Sequence, residues 1–117
     1  MDKKEIRRLT KERLKNIKVV SAKLTKYKRN LEEAEKLWDD NEYISKLHSE
    51  ILDYEMELMH IKNAMEPLED REKQIIVLNL FEKVTIENVI SQLNLSRTQG
   101  NRVKTKAIDT IGEILYC

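Results

Sequence analysis

The chain has 117 residues, enough for one modest core or for a core domain with an extension, and its net charge is only +1. Charged residues make up 37% and aromatic residues 5%, and two glycines and one proline predict an all-α protein. The lone Cys117 excludes an internal disulfide and fits a reducing compartment. Because no N-terminal apolar run supports a signal peptide or a membrane span, we expect a cytoplasmic protein without a membrane partner.

The charges are segregated along the chain. Residues 1–29 contain twelve basic and three acidic residues, a net charge of +9. Residues 39–72 contain three basic and eleven acidic residues, a net charge of −8. Such blocks are typical of solvated helix faces or of segments that attract a partner of opposite charge.

Both blocks carry apolar residues at alternating steps of three and four, which predicts long helices near 5–38 and 43–65 with a turn at 39–42. The first seam consists of Ile17, Val20, Leu24, Tyr27, Leu31, Ala34 and Trp38, and the second of Ile44, Leu47, Ile51, Tyr54, Leu58, Ile61 and Met65. The two helices could pair as an antiparallel hairpin within one chain, or between two chains in a homodimer. The positive charge of the first helix could also serve an anionic partner directly. Because the two helices have matching seams and opposite charges, we expect the basic helix to pair with the acidic one.

Pro67 ends the acidic helix, because proline lacks the backbone N–H and disfavours helix in the preceding residue. A further helix is predicted from about Leu68, followed by a loop at 81–84. The predicted architecture is therefore a helical hairpin or coiled coil over 1–66 and a three-helix domain with a helix-turn-helix over 67–117.

The segment from Thr85 onward has the pattern of two helices joined by a tight turn. Four apolar residues three or four apart mark one buried face of the first helix: Ile86, Val89, Ile90 and Leu93. Asn94 can adopt a left-handed conformation that ends this helix. Ser96 is a good N-cap for the next helix, and Gln99 three residues later completes a capping box.

The second of these helices begins with a cationic, amide-bearing face and has no acidic residue before Asp109. Helix starts usually favour acidic residues, so this start indicates an anionic partner, although a solvated basic face is the simpler alternative. Arginine can pair with guanine, and Asn or Gln with adenine, so we expect binding to double-stranded DNA. The candidate DNA-binding residues are Ser96, Arg97, Thr98, Gln99, Asn101, Arg102, Lys104 and Lys106.

Residues 68–115 resemble region 4 of the bacterial sigma factors and the phage transcription regulators of the ArpU and RinA type. The resemblance lies in LEDREKQIIVLNLFE, in TIENVISQLNLSR and in the triplet from Lys106 to Ile108, similar to the family's Lys-Ala-Leu. It implies a phage or prophage regulator in the bacterial host cytoplasm. The family's base-reading positions match Arg97, Thr98, Asn101 and Arg102, and only Arg97 keeps the family's residue type. Gly100 stands where the family has a buried Ile or Val.

Signals for enzyme chemistry are weak. His48 and His60 are not part of an HExxH motif and no cysteine is near them, so we expect no metal site. No glycine-rich phosphate loop occurs, and the acidic residues are members of charge runs. We therefore expect neither catalytic residues nor a cofactor.

Three functions fit these patterns. The first is a sequence-specific DNA-binding transcription regulator. The second is a phage packaging component of the small-terminase kind, in which a helix-turn-helix accompanies oligomerising helices. The third is an adaptor that uses a coiled coil to bind RNA polymerase or a host regulator.

Overall fold

A computed structural model describes residues 1–37 and 40–117, and over these ranges the chain is all-α, without a strand. The helical elements are α1 (Lys3–Lys15), α2 (Ile17–Lys36), α3 (Asn41–Met65), α4 (Asp70–Ile75), a π-helical segment (Ile76–Phe81), α5 (Ile86–Gln92) and α6 (Arg97–Tyr116). The predicted fold class, all-α, is thus confirmed. None of the helices described is both long enough and apolar enough to cross a bilayer.

The helix predicted over 5–38 is divided at Asn16, which the sequence pattern did not indicate. Asp2 begins α1 by accepting the backbone N–H of Glu5 at 2.8 Å. Asn16 ends α1 with its N–H directed at the carbonyl groups of Glu12 and Arg13, both at 3.2 Å. Two residues of the prediction, Trp38 at the end of the first seam and Asp39 in the turn, lie outside the described residues.

The described residues form two compact units that do not follow the chain order. Unit 1 contains residues 1–16 and 61–117, and unit 2 contains residues 17–60. The sequence predicts a boundary between residues 66 and 67, and it did not indicate that residues 1–16 would pack with the C-terminal helices. Unit 1 is therefore assembled from distant parts of the chain.

The core of unit 1 lies where α1, α4, the π-helical segment and α5 meet α6. The largest fully buried side chains are those of Thr10, Leu14, Ile75, Ile76, Leu80, Val89, Ile108 and Ile111. Burying an aliphatic side chain of this size stabilises a fold by about 1.5–3 kcal/mol, so this cluster fixes the orientation of α6.

α1 is held on α6 by an ion pair and by close helix contact. The Arg7 guanidinium donates to both carboxylate oxygens of Asp109, at 2.7 and 2.8 Å. Nearby, a Cβ added to Gly112 would lie 2.8 Å from Ile6 Cγ2 and 2.9 Å from Thr10 Oγ1. Only glycine at position 112 allows the two helices to approach this closely.

Unit 2 consists of α2 and the part of α3 up to His60. Tyr27 stacks on Tyr54 with ring centroids 5.6 Å apart. Lys28 Nζ lies 3.2 Å from Glu55 Oε1, and Glu35 Oε1 lies 3.6 Å from His48 Nε2. Glu35 lies later in α2 than Tyr27 and Lys28, whereas its partner His48 lies earlier in α3 than Tyr54 and Glu55, so the two segments run in opposite directions. All seam residues described in this unit are buried or half-buried.

The chain between α3 and α5 is shaped by local hydrogen bonds. The backbone N–H of Glu69 donates to Glu72 Oε1 at 2.9 Å, and Glu72 is buried in the first turn of α4. After the π-helical segment, the side-chain amide of Asn79 donates to the carbonyl of Val84 at 2.9 Å. Lys83 takes a positive φ of 57° in the turn. These bonds set the direction in which the chain enters α5.

The ion pair between Arg7 and Asp109 predicts a stability difference that depends on pH. The hydrogen bond from Arg7 lowers the pKa of Asp109 below its ordinary value, and the positive charges of Arg7 and Lys3 lower it further against the effect of burial. A carboxyl with a lowered folded pKa stabilises above its unfolded pKa, and this stabilisation is lost as the pH falls through the folded pKa. Asp109→Asn should therefore lower the melting temperature by several degrees at pH 7.

The measurement is thermal unfolding followed by circular dichroism, at neutral pH and in acid below the folded pKa of Asp109. In acid the variant and the wild type should melt together. Glu12→Gln is the matched control, because Glu12 pairs with Arg8 on one exposed helix face and should matter little. An Asp109→Asn deficit of equal size at both pH values would contradict this account of α1.

Candidate nucleic-acid interface

The junction between α5 and α6 has the turn chemistry that the sequence indicates. Thr85 Oγ1 accepts the N–H of Asn88 at 3.4 Å and begins α5. Asn94 follows the helix with a φ of 56°, so the predicted left-handed turn residue is confirmed. The N–H of Leu95 then donates to the carbonyl of Ile90 at 2.9 Å, which closes the turn.

The capping box predicted at the start of α6 is confirmed. Ser96 Oγ accepts the N–H of Gln99 at 3.1 Å, and Gln99 Oε1 accepts the N–H of Ser96 at 3.0 Å. Each bond satisfies a backbone donor at the helix start that has no partner within the helix. Ser96 Oγ and Gln99 Oε1 therefore cap the start of α6, and they hold the next residues of α6 in a fixed orientation.

Seven of the eight predicted site residues are exposed, and they lie together at the N-terminal half of α6: Ser96, Arg97, Thr98, Gln99, Asn101, Arg102 and Lys106. The first turn of α6 contains no acidic residue. Arg97 lies 3.7 Å from Glu87 of α5, and both side chains are largely exposed. Since exposed ion pairs contribute only about 0–1 kcal/mol, Arg97 can exchange this partner for a stronger anion at little cost.

The charge on α6 changes sign along the helix. A shallow groove on its outer side is bordered by Asn101, Arg102, Thr105, Lys106, Asp109, Thr110 and Glu113. Its N-terminal part is cationic, whereas the other end contains the carboxylate of Glu113 and that of Asp109, which is paired with Arg7. An anionic partner is thus attracted to the first three turns of α6 and disfavoured at the last.

Lys104 differs from the other predicted site residues because it faces α1. Its side chain is half-buried, and burial lowers the pKa of its ammonium group. The nearby positive charges of Lys11 and Lys15 on α1 lower this pKa further. Lys11 and Lys15 were not among the predicted site residues.

Lys11 and Lys15 belong to a periodic pattern of basic residues in the sequence. Lys3, Arg7, Lys11 and Lys15 are spaced four apart and therefore lie along one face of α1. The sequence pattern predicts that this charge pairs with the acidic helix, since both segments have matching seams, and leaves direct contact with DNA as the alternative. It could not show that α1 would pack on α6 instead, because that contact joins residues 102 positions apart.

Among the described residues, no three metal-ligating side chains come together. His48 lies beside Glu35 on the surface of unit 2, and Cys117 is exposed. The exposed N-terminal half of α6 offers positive charge and hydrogen-bond donors, which are suited to binding.

Comparison of the chain with protein-family models, with curated proteins and with solved structures finds no match. The resemblance of residues 68–115 to sigma factor region 4 thus stays a prediction.

Gly100 determines how closely α6 approaches α5. The residue is buried, and a Cβ added there would collide with the Cγ2 methyl group of Ile90. This methyl group is carried directly on a β-branched carbon and cannot turn away without changing the rotamer. The close neighbour of Gly100 is thus a side chain of α5, and the glycine sets the angle at which the exposed residues of α6 are presented.

Gly100→Ala should destabilise unit 1. Alanine gains about 1 kcal/mol of helix propensity over glycine. The collision with Ile90 should cost more, because overpacking typically costs about 1–3 kcal/mol. The free energy of unfolding from urea titration measures the net effect.

The control is the same substitution in an Ile90→Ala background, where the colliding methyl group is gone. There Gly100→Ala should be neutral or stabilising by up to about 1 kcal/mol. If Gly100→Ala stabilises the wild-type chain as well, the close contact with Ile90 is not what requires glycine.

Proposed function

We propose that the protein is a sequence-specific DNA-binding transcription regulator in which α5, the turn at Asn94 and α6 form a helix-turn-helix. The observation that carries the proposal is the exposed, capped and acid-free start of α6. In this geometry the N-terminal residues of α6 enter the major groove. The resemblance to phage regulators adds the expectation of a phage or prophage origin.

The residues at the start of α6 divide by their chemistry into two roles. Arg97, Asn101 and Arg102 carry the planar donor groups that pair with base edges. Lys106, one turn further on, is suited to a phosphate, as are the backbone N–H groups and the positive end of the helix dipole. An arginine in the first turn is unfavourable for an isolated helix, so a DNA phosphate or guanine would relieve this repulsion.

The finer architecture is part of the same proposal. The contacts of Tyr27 with Tyr54 and of Glu35 with His48 support an antiparallel helical hairpin formed within one chain by residues 17–60. The helices of residues 68–117 then form the DNA-reading domain, with α1 packed on α6 as an added element. In this arrangement the hairpin stays available for a homodimer contact or for RNA polymerase.

The test begins by selecting a preferred site from a pool of random duplex DNA. Binding of the wild type to that site and to a scrambled duplex is then compared by fluorescence anisotropy. Arg97→Ala and Arg102→Ala should each weaken binding to the selected site by about 1–3 kcal/mol and should reduce the preference over the scrambled duplex. Lys106→Ala should weaken both duplexes alike and flatten the salt dependence by about one unit.

Lys23→Gln with Lys26→Gln is the control, because it removes two exposed charges from α2 in unit 2. It should leave the preference for the selected site unchanged. An Arg97→Ala, Arg102→Ala double variant that binds the selected site like the wild type would exclude this face of α6 as the DNA reader.

The second candidate function is the packaging component, and one observation favours it. Leu52, Met56 and Met59 lie on one side of α3 and are 56%, 41% and 50% exposed. An apolar stripe of this kind suits contacts between subunits. Sedimentation analysis discriminates the two, because a packaging ring requires a large oligomer and the regulator should be a monomer or dimer.

A further inference from the structure

α3 has a further seam on the side that faces away from α2. The second seam, which contains Tyr54, faces α2, because Tyr54 stacks on Tyr27. Five other residues of α3 follow one another at alternating steps of four and three, which aligns them along one side of the helix. We call them the outer seam: Ser45, Ser49, Leu52, Met56 and Met59.

The outer seam is exposed and uncharged. Leu52, Met56 and Met59 are 56%, 41% and 50% exposed, and the two serines are exposed as well. Charged residues make up 37% of the chain, and a solvated helix face of this length is therefore expected to contain several of them. Apolar residues at coiled-coil spacing, without a charge among them, indicate a face that another helix covers.

The residues that flank the outer seam indicate a second copy of α3 as this helix. His48 and Glu55 lie on one flank, Asp53 and His60 lie on the other, and all four are exposed. In a parallel pair of identical helices, a residue on the first flank lies opposite the residue five positions later in the other copy. His48 of each copy then lies opposite Asp53 of the other, and Glu55 lies opposite His60.

An antiparallel pair of α3 helices lacks this complementarity. With Leu52 of one copy packed on Met56 of the other, Glu55 lies opposite Glu55 and Asp53 lies opposite Asp53. These like charges repel each other, so the flanks favour the parallel arrangement. Within one chain, Glu55 pairs with Lys28, and this exposed pair is weak enough for Glu55 to accept a second partner.

We propose that two copies of the protein associate through the outer seams of their α3 helices, which lie parallel about a two-fold axis. Leu52, Met56 and Met59 form the apolar centre of this contact, and the flanking carboxylates and imidazoles set its orientation. Both copies use the same surface, so the contact closes at two subunits. The inference concerns unit 2 and does not depend on DNA binding by α6.

The first test is sedimentation velocity of the full chain over a range of concentrations. The average mass should rise from that of one chain to that of two as the concentration increases. Two heptads form a small interface, of the size that transient complexes use, so monomer and dimer should exchange. Leu52→Gln with Met56→Gln should raise the dissociation constant of the dimer by about tenfold or more, because each copy loses two apolar contacts.

Val19→Gln is the matched control for this variant. Val19 is an apolar residue of α2 in the same unit and is 44% exposed, but it lies outside the outer seam. The control should dimerise like the wild type. Circular dichroism should show the same helix content and melting temperature at low concentration for both variants, because the substituted side chains are exposed in the monomer.

The second test determines the orientation of the two helices. Ser49→Cys is introduced together with Cys117→Ser, so that position 49 holds the only thiol of the chain. In a parallel pair the two copies of position 49 face each other across the seam, and mild oxidation should link them by a disulfide. In an antiparallel pair they lie at opposite ends of the contact. Ser21→Cys with Cys117→Ser is the control, because Ser21 is exposed on α2.

The outcomes are distinct from those of the proposed function. A mass of one chain at every concentration, or a Val19→Gln variant that dissociates as readily as Leu52→Gln with Met56→Gln, would overturn the inference. A mass of three or more chains would exclude the two-fold contact and favour the packaging component. If Ser49→Cys links no faster than Ser21→Cys, the parallel arrangement is wrong. None of these results depends on whether the protein binds a duplex.

Discussion

The contact between α1 and α6 is the constraint on which the rest of unit 1 depends. Gly112 lets the two helices approach, and Arg7 joins them through Asp109. The contact buries the apolar side of α1 and supports the C-terminal half of α6. It also fixes the position of the basic side of α1 on unit 1. The packing of α1 on α6 thus determines both the rigidity of α6 and the distribution of positive charge around it.

The local features of this chain could be predicted from its sequence because they depend on neighbouring residues. The capping box of Ser96 with Gln99 and the left-handed Asn94 are signals contained within six positions, and the structure has both. The apolar seams were equally readable, because a repeat of three and four places its members on one helix face. The all-α class followed from the scarcity of residues that interrupt helices.

The packing of α1 could not be read in the same way. Its contact with α6 joins residues far apart in the chain. The apolar periodicity of a helix does not show against which other helix it packs. The charge block suggested the acidic helix as the partner of the whole segment before residue 38. In the structure, Lys28 does lie beside Glu55, whereas Arg7 binds Asp109. The helix break at Asn16 separates α2, which lies beside the acidic helix, from α1, which packs on α6. Asparagine is too common at helix ends for Asn16 alone to predict this break.

The discontinuity of unit 1 has a consequence for how the protein is made. Unit 2 is continuous from residue 17 to residue 60 and can form from neighbouring segments as the chain emerges during synthesis. Asp109, the partner of Arg7, is synthesised 102 residues later. α1 therefore leaves the ribosome long before the surface of α6 that covers it has been made. Closing a loop of this length is a late and slow event in folding. The nascent chain is therefore expected to expose the basic α1 until α6 has been synthesised.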